Sequence, residues 1–370
     1  MSALVSGCIL TPEGWVRGAI AFDERITAID GVRVDQPADD ELLVLPGFVD
    51  LHVHGGGGAD VMEGAGAIDT IARLHARHGT TSLLATTMTA PQEDIALALA
   101  DIGRAMRQRP VGAARVLGVH LEGPFISPGR LGAQPDCARC GSIEELDALR
   151  ALATIRVLTL APEMAGHVDF IQQLQKAGIL VQIGHSEGTY EDGVAALKAG
   201  ASGFTHLFNA MSGLHHRQPG MVGAALAHAE YAEIIPDLLH VHPGAMRAAL
   251  RAIPKLYCVT DSTSAAGMPD GNYRLGSQTV IKCCNGVRLA DGTLAGSVLT
   301  MDQALRNLVA IGVPLEAAVR HVSTYPADYL GELGRGRLQS GAYADIVVMS
   351  ADLQLTQTFV EGAPIELTDA

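Results

Sequence analysis

The chain has 370 residues, of which 48% are hydrophobic and 18% charged, a composition that can bury a large core. Its formal net charge of −14 argues against a nucleic-acid partner, because binding a polyanion needs a basic surface. No apolar run reaches the roughly 20 residues of a membrane span, the first residues lack the basic start of a signal peptide, and six cysteines are too few for a disulfide framework, so we expect a cytoplasmic protein without a membrane partner.

Both ends of the chain are patterned as short β-strands. Apolar runs separated by Gly, Pro and Asp lie at residues 3–10, 19–22, 26–29, 341–349 and 355–360. The chain between these ends has a different pattern of apolar and polar residues. We therefore predict that residues 1–44 and 335–370 fold together as a small β-sandwich domain.

The central segment, residues 45–334, alternates apolar strand candidates with helical stretches. The strand candidates lie at 81–85, 116–121, 155–160, 179–183, 203–204, 233–235 and 256–260. The helical stretches lie at 67–78, 93–107, 143–152, 168–177, 191–199, 243–252 and 297–311. This alternation is typical of parallel strands joined by helices, and about eight such units favour an α/β fold of the closed (β/α)8 TIM-like barrel type. Because the chain has no Walker motif and no G-x-G-x-x-G after a strand, nucleotide binding is not indicated.

Potential metal ligands fall at strand ends, where β/α barrels carry their active sites. His52 and His54 follow an apolar run and are two residues apart, so both imidazoles would face the same side of a strand. Further ligand types come directly after other strand candidates: Glu122, His185, His206 and Asp261. Histidines combined with carboxylates match a borderline divalent cation such as zinc, whose catalytic sites keep one position open for water. The barrel is thus predicted to be a metal-dependent hydrolase.

Glu122 is the predicted bridging ligand of a two-ion site. Many binuclear barrel hydrolases bridge their ions with a carboxylated lysine at a strand end, and none of the four lysines of this chain follows a strand. His120 shares a strand face with Glu122 and either orients that ligand or packs in the core.

The cysteines give two pairs of close neighbours. Cys137 and Cys140 form a C-x-x-C, but no second such pair completes four zinc ligands, which favours exposed loop thiols over a structural zinc site. Cys283 and Cys284 are adjacent and are interpreted as strand residues.

Seven motifs resemble, in the same order, the amidohydrolase superfamily and within it the family of N-acetylglucosamine-6-phosphate deacetylases. They are P-G-F-V-D at 46–50, H-L-E-G-P-F at 120–125, L-A-P-E at 160–163, G-H-S at 184–186, T-H-L-F-N-A-M at 205–211, V-T-D at 259–261 and G-T-L-A-G-S at 292–297. The resemblance implies metal-dependent hydrolysis of the acetamido group of N-acetyl-D-glucosamine 6-phosphate to D-glucosamine 6-phosphate and acetate, a step of amino-sugar metabolism.

The same resemblance implies roles for individual residues. The principal ion is expected on Glu122, His185 and His206, and a second ion on His52 and His54, with Asp261 as general acid/base and as a contact of the second ion. The implied substrate contacts are Ala133, Gln134, Asn209, Ala210, His240, Leu294, Ala295 and Gly296, together with Arg217 donated by the other subunit of a homodimer. The cofactor is therefore expected to be zinc, one or two ions per subunit.

Two positions depart from the family pattern, and two other functions stay open. Relatives often carry histidine at the position of Gln134, and Leu238 replaces a usual glycine. An amidase for another N-acylated substrate, such as an N-acyl-D-amino acid, is one alternative, although Arg217 favours a phosphorylated sugar. The other is a non-catalytic scaffold on a hydrolase barrel, which would not need Asp261.

Overall fold

The computed structural model describes residues 3–367, whose central part is a β/α barrel. Its strands, first to eighth, are Phe48–Val53, Thr80–Thr87, Arg115–Glu122, Ile155–Leu160, Leu180–Ile183, Gly203–Phe204, Tyr231–Ile234 and Lys255–Cys258. The first six form one parallel sheet and the last two pair with each other. The Leu207 amide donates to the Glu233 carbonyl at 2.8 Å, and the Asp261 amide donates to the His52 carbonyl at 2.9 Å. These bonds close the ring, so the predicted barrel is confirmed.

Helices lie between the barrel strands and after the last one. They are Ala67–Arg77, Gln92–Arg107, Ile143–Arg150, His167–Lys176, Tyr190–Ala199, Gly220–His228, Pro243–Ala252, Met301–Ala310, Leu315–Val319 and Tyr325–Tyr329. Shorter turns of 3-10 type lie at Val61–Glu63 and Pro128–Arg130, and a π-helical turn lies at Arg320–Thr324. Among residues 3–367, we find no helix with the length and apolar character that crossing a membrane requires.

The short helices Leu315–Val319 and Tyr325–Tyr329 were not predicted, and two longer helices differ from the sequence prediction for identifiable reasons. The helix Gly220–His228 was not predicted, because its first six residues are all buried and its sequence lacks the polar face that reveals an amphipathic helix. The helix Met301–Ala310 begins later than residue 297, because Ser297 forms a parallel bridge with Ser262 and Thr300 is still extended.

The two chain ends form one seven-stranded sheet. Its strands are Ala3–Thr11, Gly14–Phe22, Ile26–Val34, Leu43–Pro46, Ile346–Met349, Leu355–Val360 and Ala363–Ile365. The strand Leu43–Pro46 joins the ends, because it pairs in parallel with Ala3–Thr11 and antiparallel with Ile346–Met349. A β domain built from both ends is thus confirmed, whereas its boundaries at residues 44 and 335 stay predictions.

A small antiparallel sheet was not predicted. Its strands are Gly271–Leu275, Gln278–Cys283 and Gly286–Arg288, and its core includes Met88 and Ala295. Two further short strands, Gly55–Gly56 and Ala59–Asp60, pair with each other after His54. Cys283 ends a strand as interpreted, but Cys284 is in the following turn with a φ of 54°, so the strand assignment was wrong for that residue.

Candidate active site

Glu122 lies at the centre of a buried cluster at the mouth of the barrel. Its Oε1 is 3.1 Å from Nε2 of His185 and 3.0 Å from Nε2 of His206, and the two imidazole nitrogens are 3.1 Å apart. Only 1% of Glu122 is exposed. Three strand ends therefore bring one carboxylate and two imidazoles to a single point.

The first strand brings a second pair of imidazoles to the same carboxylate. Nε2 of His52 and Nε2 of His54 are 3.1 Å apart, and Nε2 of His54 is 3.2 Å from Oε2 of Glu122. Because Oε1 contacts His185 and His206 while Oε2 contacts His54, Glu122 has the orientation that a bridging ligand requires.

Asp261 completes the cluster from the end of the eighth strand. Its Oδ1 is 3.3 Å from Nε2 of His54 and 3.5 Å from Nε2 of His52. The residue has a φ of 50°, and the amide of Ser297 donates to its carbonyl at 2.7 Å. We call His52, His54, Glu122, His185, His206 and Asp261 the mouth cluster.

The donor atoms of the mouth cluster fit a divalent cation. A tetrahedral zinc ion with bonds of about 2.0–2.1 Å separates its ligand atoms by roughly 3.3 Å. The nitrogen and oxygen atoms around Glu122 are separated by similar distances, and two overlapping triads, Glu122 with His185 and His206 and Glu122 with His52 and His54, have all their donor atoms within 4.8 Å. The residues present thus match the divalent metal that the cluster's chemistry indicates.

Strong electrostatic coupling shifts the pKa values of this cluster. Burial alone would lower the pKa of His54, but hydrogen bonds to Asp261 and Glu122 outweigh burial and raise it to about 9. Burial alone would raise the pKa of Asp261, but the charges of His52 and His54 hold it below its usual value. The pKa of Glu122 is likewise well below its usual value, because His52 and His185 outweigh the effect of burial.

Hydrogen bonds behind the rings aim the imidazoles at the cluster. Nδ1 of His185 donates to the carbonyl of Arg130 at 2.8 Å, and Nδ1 of His54 donates to the carbonyl of Thr86 at 3.2 Å. With Nδ1 as the donor, the neutral form of each ring presents its Nε2 lone pair to an ion. Nδ1 of His206 is buried and has no hydrogen-bond partner.

Two buried carboxylates next to the cluster were not singled out from the sequence. Asp50 accepts from the Thr260 hydroxyl at 2.6 Å, and burial raises the pKa of Asp50 to about 7. Glu233 is the penultimate residue of the seventh strand and contacts His52. The available signal was an ionisable residue inside an apolar strand candidate, a pattern that by itself indicates only the strand.

Of the two roles considered for His120, orienting Glu122 or packing in the core, the structure supports packing. Its Nδ1 donates to the carbonyl of Leu51 at 3.0 Å, and its Nε2 accepts from the hydroxyl of Thr159 at 2.7 Å. Its ring packs edge to face against that of His52, with centroids 4.6 Å apart. The side chain therefore supports His52 rather than Glu122.

A cavity of about 240 Å³ opens onto the mouth cluster. Its walls include most of the expected substrate contacts, namely Ala133, Gln134, Asn209, Ala210, His240, Leu294 and Gly296. Ala295 is buried in the core of the small antiparallel sheet instead. The cavity is thus bounded on one side by potential metal ligands and on the others by loops that follow the strands.

Gln134 is held firmly at the wall of this cavity. Its Nε2 donates to Oε2 of Glu122 at 2.6 Å, and its Oε1 accepts from the amide of Thr89 at 2.7 Å. The glutamine therefore fixes the orientation of the central carboxylate.

Asp237 positions His240 at another wall. Its Oδ2 accepts from Nδ1 of His240 at 2.6 Å, and its Oδ1 accepts from the backbone amides of Leu239 and His240. Burial alone would lower the pKa of His240, but Asp237 outweighs burial and raises it. The neighbouring Leu238 has a φ of 64°, in the left-handed region that favours glycine.

Arg217 is not a wall of the cavity in its own chain. It lies exposed in the loop between the sixth strand and the helix Gly220–His228, where its Nη1 is 2.7 Å from Nε2 of His216. The structure thus brings together the expected ligands and most expected sugar contacts, but not this arginine.

The sequence model of the amidohydrolase family matches residues 43–365. The chain belongs to the amidohydrolase family. Among similar proteins, an N-acetylgalactosamine-6-phosphate deacetylase of Escherichia coli O157:H7 is 42% identical and covers 96% of both chains. An N-acetylglucosamine-6-phosphate deacetylase of Vibrio furnissii is 38% identical and covers 96% of this chain and 92% of the relative.

Solved structures of family members agree with the fold. The N-acetylglucosamine-6-phosphate deacetylase of Thermotoga maritima has a TM-score of 0.90 at 31% identity and covers 100% of both chains. A mutant of the Mycobacterium smegmatis N-acetyl-D-glucosamine-6-phosphate deacetylase, in complex with N-acetyl-D-glucosamine 6-phosphate, has a TM-score of 0.90 at 35% identity and covers 98% of this chain and 99% of that one. The similarity therefore extends over both the barrel and the β domain.

Proposed function

We propose that this protein hydrolyses the acetamido bond of N-acetyl-D-glucosamine 6-phosphate, with D-glucosamine 6-phosphate and acetate as products. The observation that carries the proposal is the mouth cluster, in which Glu122 faces two histidine pairs and Asp261 adjoins the same cavity. Relatives named as deacetylases of acetylated hexosamine phosphates, similar over more than nine-tenths of the chain, support it.

The reaction needs three contributions because an amide is a poor electrophile with a poor leaving group. They are an activated water, a polarised carbonyl and a proton for the departing amine. A divalent cation held by Glu122, His185 and His206 supplies the first two, and we propose zinc because imidazole and carboxylate ligands suit it. His52 and His54 provide the ligands for a second ion.

Asp261 moves the proton. Its pKa lies below the usual value, so the carboxylate is ionised at neutral pH and can accept a proton from the attacking water. As the C–N bond breaks, the same carboxyl group gives that proton to the sugar nitrogen. The water thus contributes its hydroxyl to acetate and its proton to the amine, and Asp261 returns to its starting state.

The walls of the cavity bind and orient the sugar. His240, held by Asp237, presents a polar group to the cavity, and the backbone around Asn209 and Ala210 lines it nearby. Arg217 belongs to the exposed loop, from which it would reach the phosphate in the cavity of a partner subunit. Its planar guanidinium suits that role, since it can bind two phosphate oxygens at once.

The galactose epimer is a second candidate substrate. The relative with 42% identity is named N-acetylgalactosamine-6-phosphate deacetylase, whereas the relative of Vibrio furnissii with 38% identity is named for the glucose epimer. Both substrates carry the same acetamido and phosphate groups, so the mouth cluster would serve either one.

Acetate release from a matched set of substrates tests the proposal. The protein is stripped of metal, reconstituted with single divalent ions, and assayed with the 6-phosphates of both epimers, unphosphorylated N-acetylglucosamine and an N-acetyl-D-amino acid. We expect metal-dependent release from the glucosamine derivative and much slower release without the phosphate. Preferred hydrolysis of the amino acid, or no acetate release with any ion, would contradict the proposal.

Hybrid dimers test the role of Arg217. A charge-assisted contact to phosphate is worth about 1.5–3 kcal/mol, so Arg217→Ala should weaken use of the phosphorylated substrate roughly 10- to 150-fold. Mixing Arg217→Ala subunits with Asp261→Asn subunits should restore activity, because one of the two cavities then has both residues. Verified hybrids without recovery would place the arginine's action within its own subunit.

A further inference from the structure

His52 differs from the other imidazoles of the mouth cluster in what lies behind it. Nδ1 of His185 and Nδ1 of His54 donate to neutral backbone carbonyls. Nδ1 of His52 instead donates to a carboxylate, Oε2 of Glu233, at 2.9 Å. A carboxylate behind a ligating histidine fixes the tautomer and ring orientation and raises the basicity of the ligand nitrogen.

Glu233 is placed to act only through other residues. It lies in the seventh barrel strand, one residue before the strand's end, is fully buried and is not a wall of the cavity. Its Oε2 also accepts from the backbone amide of His206 at 3.2 Å, and its Oε1 accepts from the hydroxyl of Tyr257 at 3.4 Å. The carboxylate thus links the His52 side chain to the backbone of His206, which is an expected ligand of the principal ion.

We propose that Glu233 is a positioning residue that holds His52 as a ligand of a second divalent cation, between the His52–His54 pair and Glu122. The inference rests on the proposed function only in taking the mouth cluster to bind divalent ions. With Nδ1 protonated, Nε2 of His52 presents its lone pair to the cluster, 3.6 Å from Oε1 of Glu122 and 3.5 Å from Oδ1 of Asp261.

Charge balance gives Glu233 a second effect. Glu122 and Asp261 together carry two negative charges, which balance one dication. A second dication in this buried cluster needs further negative charge nearby, because uncompensated charge is costly to bury. Glu233 is the buried carboxylate in direct contact with a ligand of that second position.

The groups behind His52 are a hydrogen-bond network rather than another ion site. His52, His120 and Glu233 have donor atoms close enough together for an ion. However, Nδ1 of His120 donates to the carbonyl of Leu51, its Nε2 accepts from the hydroxyl of Thr159, and Nδ1 of His52 donates to Glu233. Both nitrogens of His120 and Nδ1 of His52 are therefore already engaged. Of this group, only Nε2 of His52 can bind an ion, and it does so in the mouth cluster.

Metal uptake by the Glu233→Gln variant tests the proposal. Glutamine keeps an oxygen for Nδ1 of His52 and for the His206 amide but removes the negative charge. Apoprotein is titrated with Zn²⁺ against a chromophoric chelator and with Co²⁺ by absorption spectroscopy, and bound metal is counted by elemental analysis. We expect the second ion to bind about 10- to 100-fold more weakly, with the first ion bound as in the wild type.

Tyr257→Phe is the matched control. It removes the hydroxyl that contacts the other oxygen of the same carboxylate, so a purely structural role of this network would change metal uptake in both variants. We expect Tyr257→Phe to bind both ions as the wild type does. Glu233→Asp, which keeps the charge but shortens the side chain, should weaken the second ion less, and it carries the test if Glu233→Gln does not fold.

Three results would overturn the proposal: a wild-type protein that takes up a single ion at saturating metal, equal weakening of both ions, or an unchanged second ion in Glu233→Gln. Because the readout is metal uptake, failure of the proposed substrate would leave this outcome unaffected. The two proposals can therefore fail separately.

Discussion

The third barrel strand, Arg115–Glu122, begins in one buried charged cluster and ends in another. At its end, Glu122 faces imidazoles in the mouth cluster. At its start, Arg115 donates from Nε to Glu361 at 2.8 Å, and Glu361 also binds Arg335. We call Arg115, Arg335, Asp345 and Glu361 the interdomain cluster, because Glu361 and Asp345 flank strands of the β domain.

The two clusters differ in the chemistry of their cations. Arg335 is 4% exposed, binds Asp345 and Glu361, and stacks over the ring of Tyr343 at 4.0 Å. A guanidinium keeps its charge at every working pH, so the interdomain cluster is neutralised permanently. The imidazoles of the mouth cluster carry charge only when protonated, and they can exchange their protons for a metal ion. Permanent pairing suits structure, whereas exchangeable pairing suits catalysis.

Removing the proton carrier of the mouth cluster should have the largest effect. Asp261→Asn keeps the shape but cannot accept a proton, so we expect acetate release to fall about 10²- to 10⁴-fold while the principal ion stays bound. Steady-state kinetics and elemental analysis measure the two quantities. Activity within tenfold of the wild type would show that Asp261 has only a structural role.

Breaking the interdomain cluster should affect stability and not chemistry. Asp345 is 2% exposed, and Asp345→Asn leaves Arg335 with one carboxylate fewer, which should cost about 3–5 kcal/mol in the free energy of unfolding. Denaturant unfolding measures this cost, and acetate release per folded molecule should stay unchanged.

The matched control is an exposed ion pair of the same domain. Glu41 binds Arg17, whose side chain is 50% exposed, so Glu41→Gln should cost at most about 1 kcal/mol. An equal cost for Asp345→Asn and Glu41→Gln would remove the distinction between a buried structural cluster and ordinary surface charge.

The sequence predicted the mouth cluster much better than the interdomain cluster, for a physical reason. Each mouth ligand follows an apolar run, and the ends of parallel strands converge, so local pattern and topology together locate His52, Glu122 and His185. Arg335 and Glu361 follow no such rule, because their partners come from remote segments without any periodic signal. Glu233 lies between these cases, since a strand candidate contained it but nothing local indicated its contact with His52.

The sequence also located most of the secondary structure. The strand Ile155–Leu160 and the helix Pro243–Ala252 have the predicted bounds, since apolar period and flanking Gly or Pro agree there. The helix Gly220–His228 and the small antiparallel sheet escaped prediction. The former is apolar on every face, and the strands of the latter, of 5, 6 and 3 residues, are too short for their sequence to reveal the alternation in burial that they have.

The last effect we expect is a pH dependence that only the mouth cluster shows. In the ion-free protein His54 has a pKa raised to about 9, so it is protonated at neutral pH and an incoming metal ion must displace that proton. Metal affinity should therefore rise by about tenfold per pH unit for each displaced proton between pH 6 and pH 8, and the rise should level off near pH 9.

Calorimetric titration of the apoprotein in buffers of different ionisation enthalpy counts the protons released. The interdomain cluster should not contribute, because the arginines hold the pKa of Glu361 at about 2 against the opposing effect of burial, and that carboxylate stays ionised throughout this range. The stability contributed by Glu361 is lost only as pH falls below its ordinary pKa towards 2. A metal affinity independent of pH between 6 and 8 would mean that the imidazoles already lack protons, and the contrast between exchangeable and permanent cations would not hold.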